Sequence, residues 1–464
     1  MATGIVIAAT HSGAGKTTVT LGILRALSKR IEVEPFKVGP DYIDPAFHQY
    51  ACRKPSHNLD YYLLGEEKLR QLFFEKASPS GLSVVEGVMG LYDGINATSD
   101  GSTAQVAKIL HLPVLLVVEA GSLGASVSAM VLGYVHYDPH VHIAGVIFNR
   151  VGNARHYELL KCCVERDVGI PVVGYLPVDL SIQFPERHLG LVPSGETEQL
   201  EERLERLSSQ VERTVDLDAI LQIAQQAGRI TSVSSTPSFI PLPTDLTIAI
   251  ASDNAFNFYY PDGLEVFQRC GARLLSFSPL HDTALPPGTD GLILGGGFPE
   301  VFARELSEKV TMKHSLRRAI QDGLPTYAEC GGLMYLTEEI IDSKGESFPM
   351  VGVFPVRTRM GHQLDHFGYV EVQVTHDNVL SQEGAVFRGH EFHYSTLEGS
   401  LLPTCYRVQK PGRNESWESG WCYQNCLASY VHLHFYAYPE LVIRFLECCR
   451  KNKPDEGKKK GRKR

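Results

Sequence analysis

Residues 10–18, Thr10-His11-Ser12-Gly13-Ala14-Gly15-Lys16-Thr17-Thr18, stand directly behind an apolar run, Gly4-Ile5-Val6-Ile7-Ala8-Ala9. Glycines in such a loop let backbone N–H groups approach phosphate oxygens, and a helix behind them adds the positive end of its dipole. The motif therefore requires strand, tight turn and helix in succession, which implies a parallel sheet with crossover helices. The helix is legible as well. Val19, Ile23, Ala26 and Leu27 recur on one face, the stripe that packs on a sheet. Gly13 and Gly15 shape the loop, Lys16 would reach the β- and γ-phosphates of ATP, and Thr17 would complete the shell of a Mg²⁺ ion, with Thr18 closing the motif. Thr10 occupies the place of the usual first glycine, so the loop is a variant.

The same rhythm runs through the chain twice. Apolar runs at 82–86, 114–119 and 144–149 read as buried parallel strands separated by amphipathic helices. A Ser/Pro-rich stretch then breaks all periodicity, and the rhythm restarts at 246–251, 273–277, 291–294 and 326–328. The expectation is an α/β protein of two tandem domains. They are a phosphate-binding domain at 1–229 and, after a linker at 230–245, a second domain at 246–449, with a basic, disordered tail at 450–464. At 464 residues the chain is too long for one ordinary core.

Composition narrows the function. Hydrophobic content of 43% and charged content of 21% are those of a globular protein. No run approaches the roughly 18 apolar residues a membrane span needs, and no leader precedes the first strand, so a cytoplasmic setting is expected. The formal charge is −9, yet the last fifteen residues hold nine Lys/Arg against two Asp/Glu, leaving −16 on the body. An acidic body excludes nucleic acid as substrate. Ten cysteines without a secretory pattern read as reduced thiols, and Cys422 and Cys426 lack the second pair a zinc site needs.

Around the phosphate loop, Lys37-Val38-Gly39-Pro40-Asp41-Tyr42-Ile43-Asp44-Pro45 follows a strand, with His48 close behind. Lys37 is the expected catalytic cation; Asp41, Tyr42 and Asp44 are expected to meet an anionic substrate, and Asp41 a metal. Glu86, ending a strand before Gly87, is placed as a further metal ligand. Asn149, ending another, could bond an adenine edge.

A second chemistry sits near the C-terminus. Cys330 follows a strand and precedes Gly331-Gly332 and an apolar helix, the geometry of a nucleophile elbow at which a helix N-terminus favours the thiolate. Upstream, Gly295-Gly296-Gly297 offers the backbone N–H groups of Gly296 and Gly297 as an oxyanion hole. His432, in the strand-like run 428–432, is the expected general base. His390-Glu391-Phe392-His393-Tyr394 lacks the second histidine of a helical zinc motif, since Tyr394 stands there.

Taken together, THSGAGKTT at 10–18, KVGPDYIDPAFH at 37–48, EGVMGLYDG at 86–94, GGGFPE at 295–300, ECGG at 329–332, GHEFHYS at 389–395 and SYVHLHF at 429–435 resemble the cobyrinate a,c-diamide synthases. The resemblance covers both halves and lapses in the linker and tail. It implies a P-loop domain like dethiobiotin synthetase, then a flavodoxin-like class I glutamine amidotransferase domain. It further implies a ligase that uses ATP, Mg²⁺ and glutamine to amidate the a- and c-carboxylates of a tetrapyrrole-type substrate in cobalamin biosynthesis, through an acyl phosphate. Cys330 is then the nucleophile and His432 its base. The released ammonia would need shelter from water, and a homodimer is allowed. Other class I amidotransferases place Glu two residues after the histidine; His434 stands there, which leaves the group that orients His432 open. Nickel-sirohydrochlorin a,c-diamide synthases carry nearly the same motifs and are the alternative. A nucleotide switch or scaffold with an inactive amidotransferase lobe is a further one. Against it, position 11 is histidine rather than the additional lysine of partitioning ATPases.

Overall fold

The computed structural model describes residues 3–182, 196–226, 245–399 and 403–453. The chain divides into two compact units, Met1–Thr236 and Pro237–Arg464. Apart from Asp245, the segment expected as linker lies outside the described residues. So does the tail beyond Lys453, although the last helix, Pro439–Asn452, carries order into its first residues.

The first unit is built on seven parallel strands: β1 (Gly4–Ala9), β2 (Val33–Val38), β3 (His57–Leu59), β4 (Leu82–Glu86), β5 (Val114–Glu119), β6 (Ile143–Val151) and β7 (Val172–Pro177). Their order is β3-β2-β4-β1-β5-β6-β7. The expected strands are all present, and each is fully or almost fully buried, as helices on both faces require. Strand β1 lies at the centre between β4 and β5. Helix α1 (Lys16–Ser28) leaves its C-terminal end and buries Val19, Ile23, Ala26 and Leu27. Its Gly22 packs so closely on a helix spanning Glu196–Thr214 that a Cβ there would stand 2.5 Å from Val211 Cγ2.

In the second unit five parallel strands run Arg273–Phe277, Thr247–Ala251, Gly291–Leu294, Thr326–Glu329 and Cys426–Ser429 across the sheet. Numbered by sequence, this is the 2-1-3-4-5 order of flavodoxin-like folds. Five antiparallel strands extend the sheet to ten, ending with Val386–His393 beside the two-residue strand His432–Leu433. One expectation is overturned here: Cys405 and Cys422 form a disulfide across neighbouring strands, so these two are not reduced thiols. Cys426 is buried and free, which leaves no zinc pair at 422 and 426. No helix among the described residues is long and apolar enough to cross a membrane.

Candidate active sites

At the P-loop, Gly13 and Gly15 take φ of +83° and +86°, a left-handed conformation open to glycine at little cost. Gly15 is doubly constrained, because a Cβ would fall 1.9 Å from Asn149 Nδ2. Asn149 uses that nitrogen to donate to the Ala14 carbonyl at 2.8 Å, so it braces the loop itself. Lys16 donates to the Met89 carbonyl at 3.3 Å. Burial, then the neighbouring Lys37 charge, bring its ammonium down to about 8, against the opposing pull of Glu86, Asp44 and Asp41. Thr17 Oγ1 donates to Glu86 Oε1 at 2.7 Å, and Thr18 follows, half-buried, in the first turn of α1.

Beside the loop, Lys37 is the penultimate residue of β2 and Glu86 the last of β4, register partners on adjacent strands. Lys37 Nζ lies 2.6 Å from Asp44, 3.1 Å from Glu86 and 3.9 Å from Asp41, and it donates to the Gly87 carbonyl at 2.9 Å. Burial works against its charge, but these carboxylates hold it protonated beyond the ordinary lysine range. The expected catalytic cation is thus a buried, saturated hub. Glu86 is completely buried and also takes a 2.7 Å contact from His48 Nε2, whose Nδ1 meets Ser56. Burial alone would raise its carboxyl, yet Lys37, His48 and Lys16 hold it well below the ordinary range. Asp44 shows the reverse: burial and the Asp41 charge raise it well above. Asp41 accepts the Ile43 and Asp44 N–H groups at the head of α2 (Ile43–Cys52), for which Tyr42 is the N-cap.

No group of three His, Cys, Asp or Glu side chains among the described residues converges to hold a metal alone. Mg²⁺ needs less from protein, taking one or two carboxylates and completing its shell with phosphate and water. The Thr17–Glu86 pair and Asp41 supply oxygen donors, with Asp44 beside them on the same lysine. The residues fit such an ion.

At the thiol site, Cys330 adopts φ 44° and ψ −98°, a strained conformation that β-substituted residues rarely hold. Its N–H donates to the Ser429 carbonyl at 2.7 Å. The following helix, Gly331–Leu336, has six residues, so its dipole is small. Gly332 lies against strand Gly291–Leu294, where a Cβ would meet the Leu294 carbonyl at 2.2 Å. Gly297, with φ +155°, presents its amide nitrogen 3.1 Å from where a Gly331 Cβ would stand, next to the nucleophile. Gly296 likewise leaves room for His432 Cε1.

His432 is buried, and its Nδ1 lies 3.6 Å from Glu329 Oε2. Glu329 Oε1 is itself fixed by the Tyr327 hydroxyl at 2.6 Å and the Leu433 N–H at 3.0 Å. Burial would lower the imidazole, but hydrogen bonds to Cys330 and Glu329, with their charges, push it up to about 10. His390, its cross-strand partner at 4.9 Å between ring centroids, is driven the other way by burial and by the His432 charge. His434 turns away, stacked on Tyr260 at 4.3 Å and 3.3 Å from Asp262. The group that orients His432 is the residue before the nucleophile.

Comparison with known proteins settles the family. Residues 5–192 match the CobQ/CobB/MinD/ParA nucleotide binding domain, and residues 247–439 the CobB/CobQ-like glutamine amidotransferase domain. A cobyrinate a,c-diamide synthase of Caldanaerobacter subterraneus is 51% identical over 96% of this chain and 97% of its own length. One from Salmonella typhimurium is 42% identical over 96% and 98%. The chain belongs to the cobyrinate a,c-diamide synthase family.

Within that family frame, the elbow in the second matched domain and the P-loop in the first are each intact in geometry. Sequence reasoning missed Glu329 as a partner of His432, although a carboxylate in an otherwise apolar strand is rarely buried unpaired. It also missed the hold of His48 on Glu86. Asn58 escaped too; its amide donates to the Gly39 and Asp41 carbonyls and fixes the loop after β2. His11, where a partitioning ATPase would carry lysine, faces Glu119 at 3.5 Å.

Proposed function

We propose that this enzyme converts the a- and c-side-chain carboxylates of cobyrinic acid to amides, using ATP and glutamine, in the cytoplasm. The observation that carries the reading is near full-length similarity, 42–51% identical, to enzymes named for that product. In the first unit, a substrate carboxylate oxygen attacks the γ-phosphorus of ATP and ADP departs, giving an acyl phosphate. Lys16 binds the phosphates and the Gly13–Gly15 turn presents its backbone N–H groups to them. Mg²⁺, held by Thr17, Glu86 and Asp41, would neutralise phosphate charge. Lys37 fixes Glu86 and Asp44 in place around that chemistry.

In the second unit, Cys330 Sγ attacks the side-chain amide carbon of glutamine, and the Gly296 and Gly297 N–H groups receive the oxyanion. His432 gives its proton to the departing ammonia as the C–N bond breaks. Water then hydrolyses the thioester to glutamate. Ammonia attacks the acyl phosphate carbon and inorganic phosphate leaves. Glu329 keeps the His432 ring in register throughout.

Mass spectrometry after incubation with ATP, Mg²⁺ and glutamine tests the assignment, with cobyrinic acid and nickel-sirohydrochlorin as rival substrates. Two successive acid-to-amide changes on cobyrinic acid are expected. Amidation of the nickel compound alone would overturn the substrate, and no change in either would overturn the activity.

A further inference from the structure

Strand Val386–His393 carries two acceptors that the reaction above does not use. Glu391 is 1% exposed, and neither carboxylate oxygen has a hydrogen-bond donor among the described residues. His393 Nδ1 donates to the Ser395 carbonyl at 2.8 Å, which makes Nε2 the acceptor of the neutral ring, and Nε2 also has no hydrogen-bond partner. Glu391 Oε2 and His393 Nε2 stand 3.8 Å apart, too far to bond each other. Buried polar atoms are nearly always bonded, so two adjacent acceptors in want of a donor ask for an explanation.

Their surroundings supply one. The His393 ring stacks on Tyr430 at 3.8 Å with 8° between planes, and the Tyr430 hydroxyl meets Ser395 Oγ at 2.9 Å. Tyr430 follows Ser429, whose carbonyl holds the Cys330 N–H. Ser395 Oγ also reaches Met334 Sδ at 3.7 Å, one turn beyond the nucleophile. Tyr430 and Met334 thus link the acceptor pair to the segments that flank Cys330. A nitrogen about 2.9 Å from each of two such acceptors subtends about 80° between them, within reach of two N–H bonds of one ammonium. Having no hydrogen bond to lose, the Glu391 carboxylate is free to turn toward a donor entering beside Tyr430.

We infer that Glu391 and His393 bind the α-ammonium group of the glutamine donor and so select glutamine over amides that lack it. This rests on the glutamine-hydrolysing reading above. A charged, directional contact of this kind gives discrimination that shape alone does not.

Steady-state hydrolysis of glutamine and of its des-amino analogue glutaramate, by the full-length enzyme and by Glu391→Gln, tests it. Wild type should prefer glutamine. In the variant, kcat/KM for glutamine should fall roughly 10- to 100-fold, mainly through KM, while glutaramate changes little and the preference collapses. An equal fall for both amides would show a merely structural role and overturn the assignment, as would no fall at all. A raised KM for ammonia with the preference intact would assign the pair to free ammonium instead, and also overturn it. Thermal unfolding monitors folding, and Glu391→Asp, which displaces the carboxylate, replaces the variant if Gln does not fold. Wild-type enzyme that hydrolyses neither amide would instead sink the amidotransferase reading itself.

Discussion

At the P-loop, Lys16, Lys37, Asp41, Asp44, Glu86 and His48 share one buried charge network. At the elbow a single carboxylate, Glu329, faces a single imidazole, His432. The first site must hold still around a polyanion, so its charges are cross-braced by several partners each. The second must move one proton, so its parts are few and each is set by a neighbour that does nothing else. Substitutions should therefore act on different quantities: structure and nucleotide binding in one unit, rate and pH dependence in the other.

The sharpest division is expected for Cys330→Ala. Loss of the nucleophile should lower glutamine-dependent synthesis by about 10⁴-fold or more, with synthesis from high ammonia retained. Parallel assays with the two nitrogen donors check this; equal loss from both would erase the division of labour. Lys16→Ala should lower both by about 10³-fold, since carboxylate activation is common to both donors. ATP turnover with ammonia as donor is the measurement.

Glu86→Ala probes the brace. It strands Lys37 and His48 in the interior and should cost about 3–5 kcal/mol of stability in urea titration. Glu86 is held below the ordinary carboxylate range, so its contribution is full at neutral pH. That contribution is lost only as pH falls through the lowered folded value, and the variant should show a flatter acid limb. A loss under 1 kcal/mol would mean that the network is looser than the distances indicate. Glu329→Gln has the smallest expected effect, about 10- to 100-fold on glutamine hydrolysis. The imidazolium of His432 persists up to about pH 10 in the wild type, so removing the Glu329 charge should shift the basic limb of the rate profile toward neutrality. An unmoved limb would remove Glu329 from the relay.

The two sites also differed in how far sequence alone disclosed them. The P-loop unit has its chemistry at the C-terminal ends of neighbouring parallel strands, so Lys16, Lys37 and Glu86 each close or follow a recognisable apolar run. What escaped there was pairing. Nothing in a sequence shows that Gly15 brings the loop within reach of the Asn149 amide. At the elbow, the strand–Cys330–helix turn and the strand that carries His432 were legible, but a carboxylate beside the histidine was sought after it. His434 lies just beyond the strand His432–Leu433 and stacks on Tyr260, whereas Glu329 reaches His432 across the sheet because its own strand and Cys426–Ser429 run in parallel register. The antiparallel half of the second sheet had weaker signals, since its strands are half-exposed.

Cys330 holds a backbone conformation, φ 44° and ψ −98°, that suits glycine better than any residue with a side chain. Every copy of the chain therefore carries a strain of about 1–3 kcal/mol at the residue proposed as the nucleophile. Glycine at this one position would relieve that strain and remove the thiol that the proposed reaction needs. Thermal robustness is thus a poor guide to which variants of this chain still work, and a screen for heat resistance would tend to collect the inactive ones.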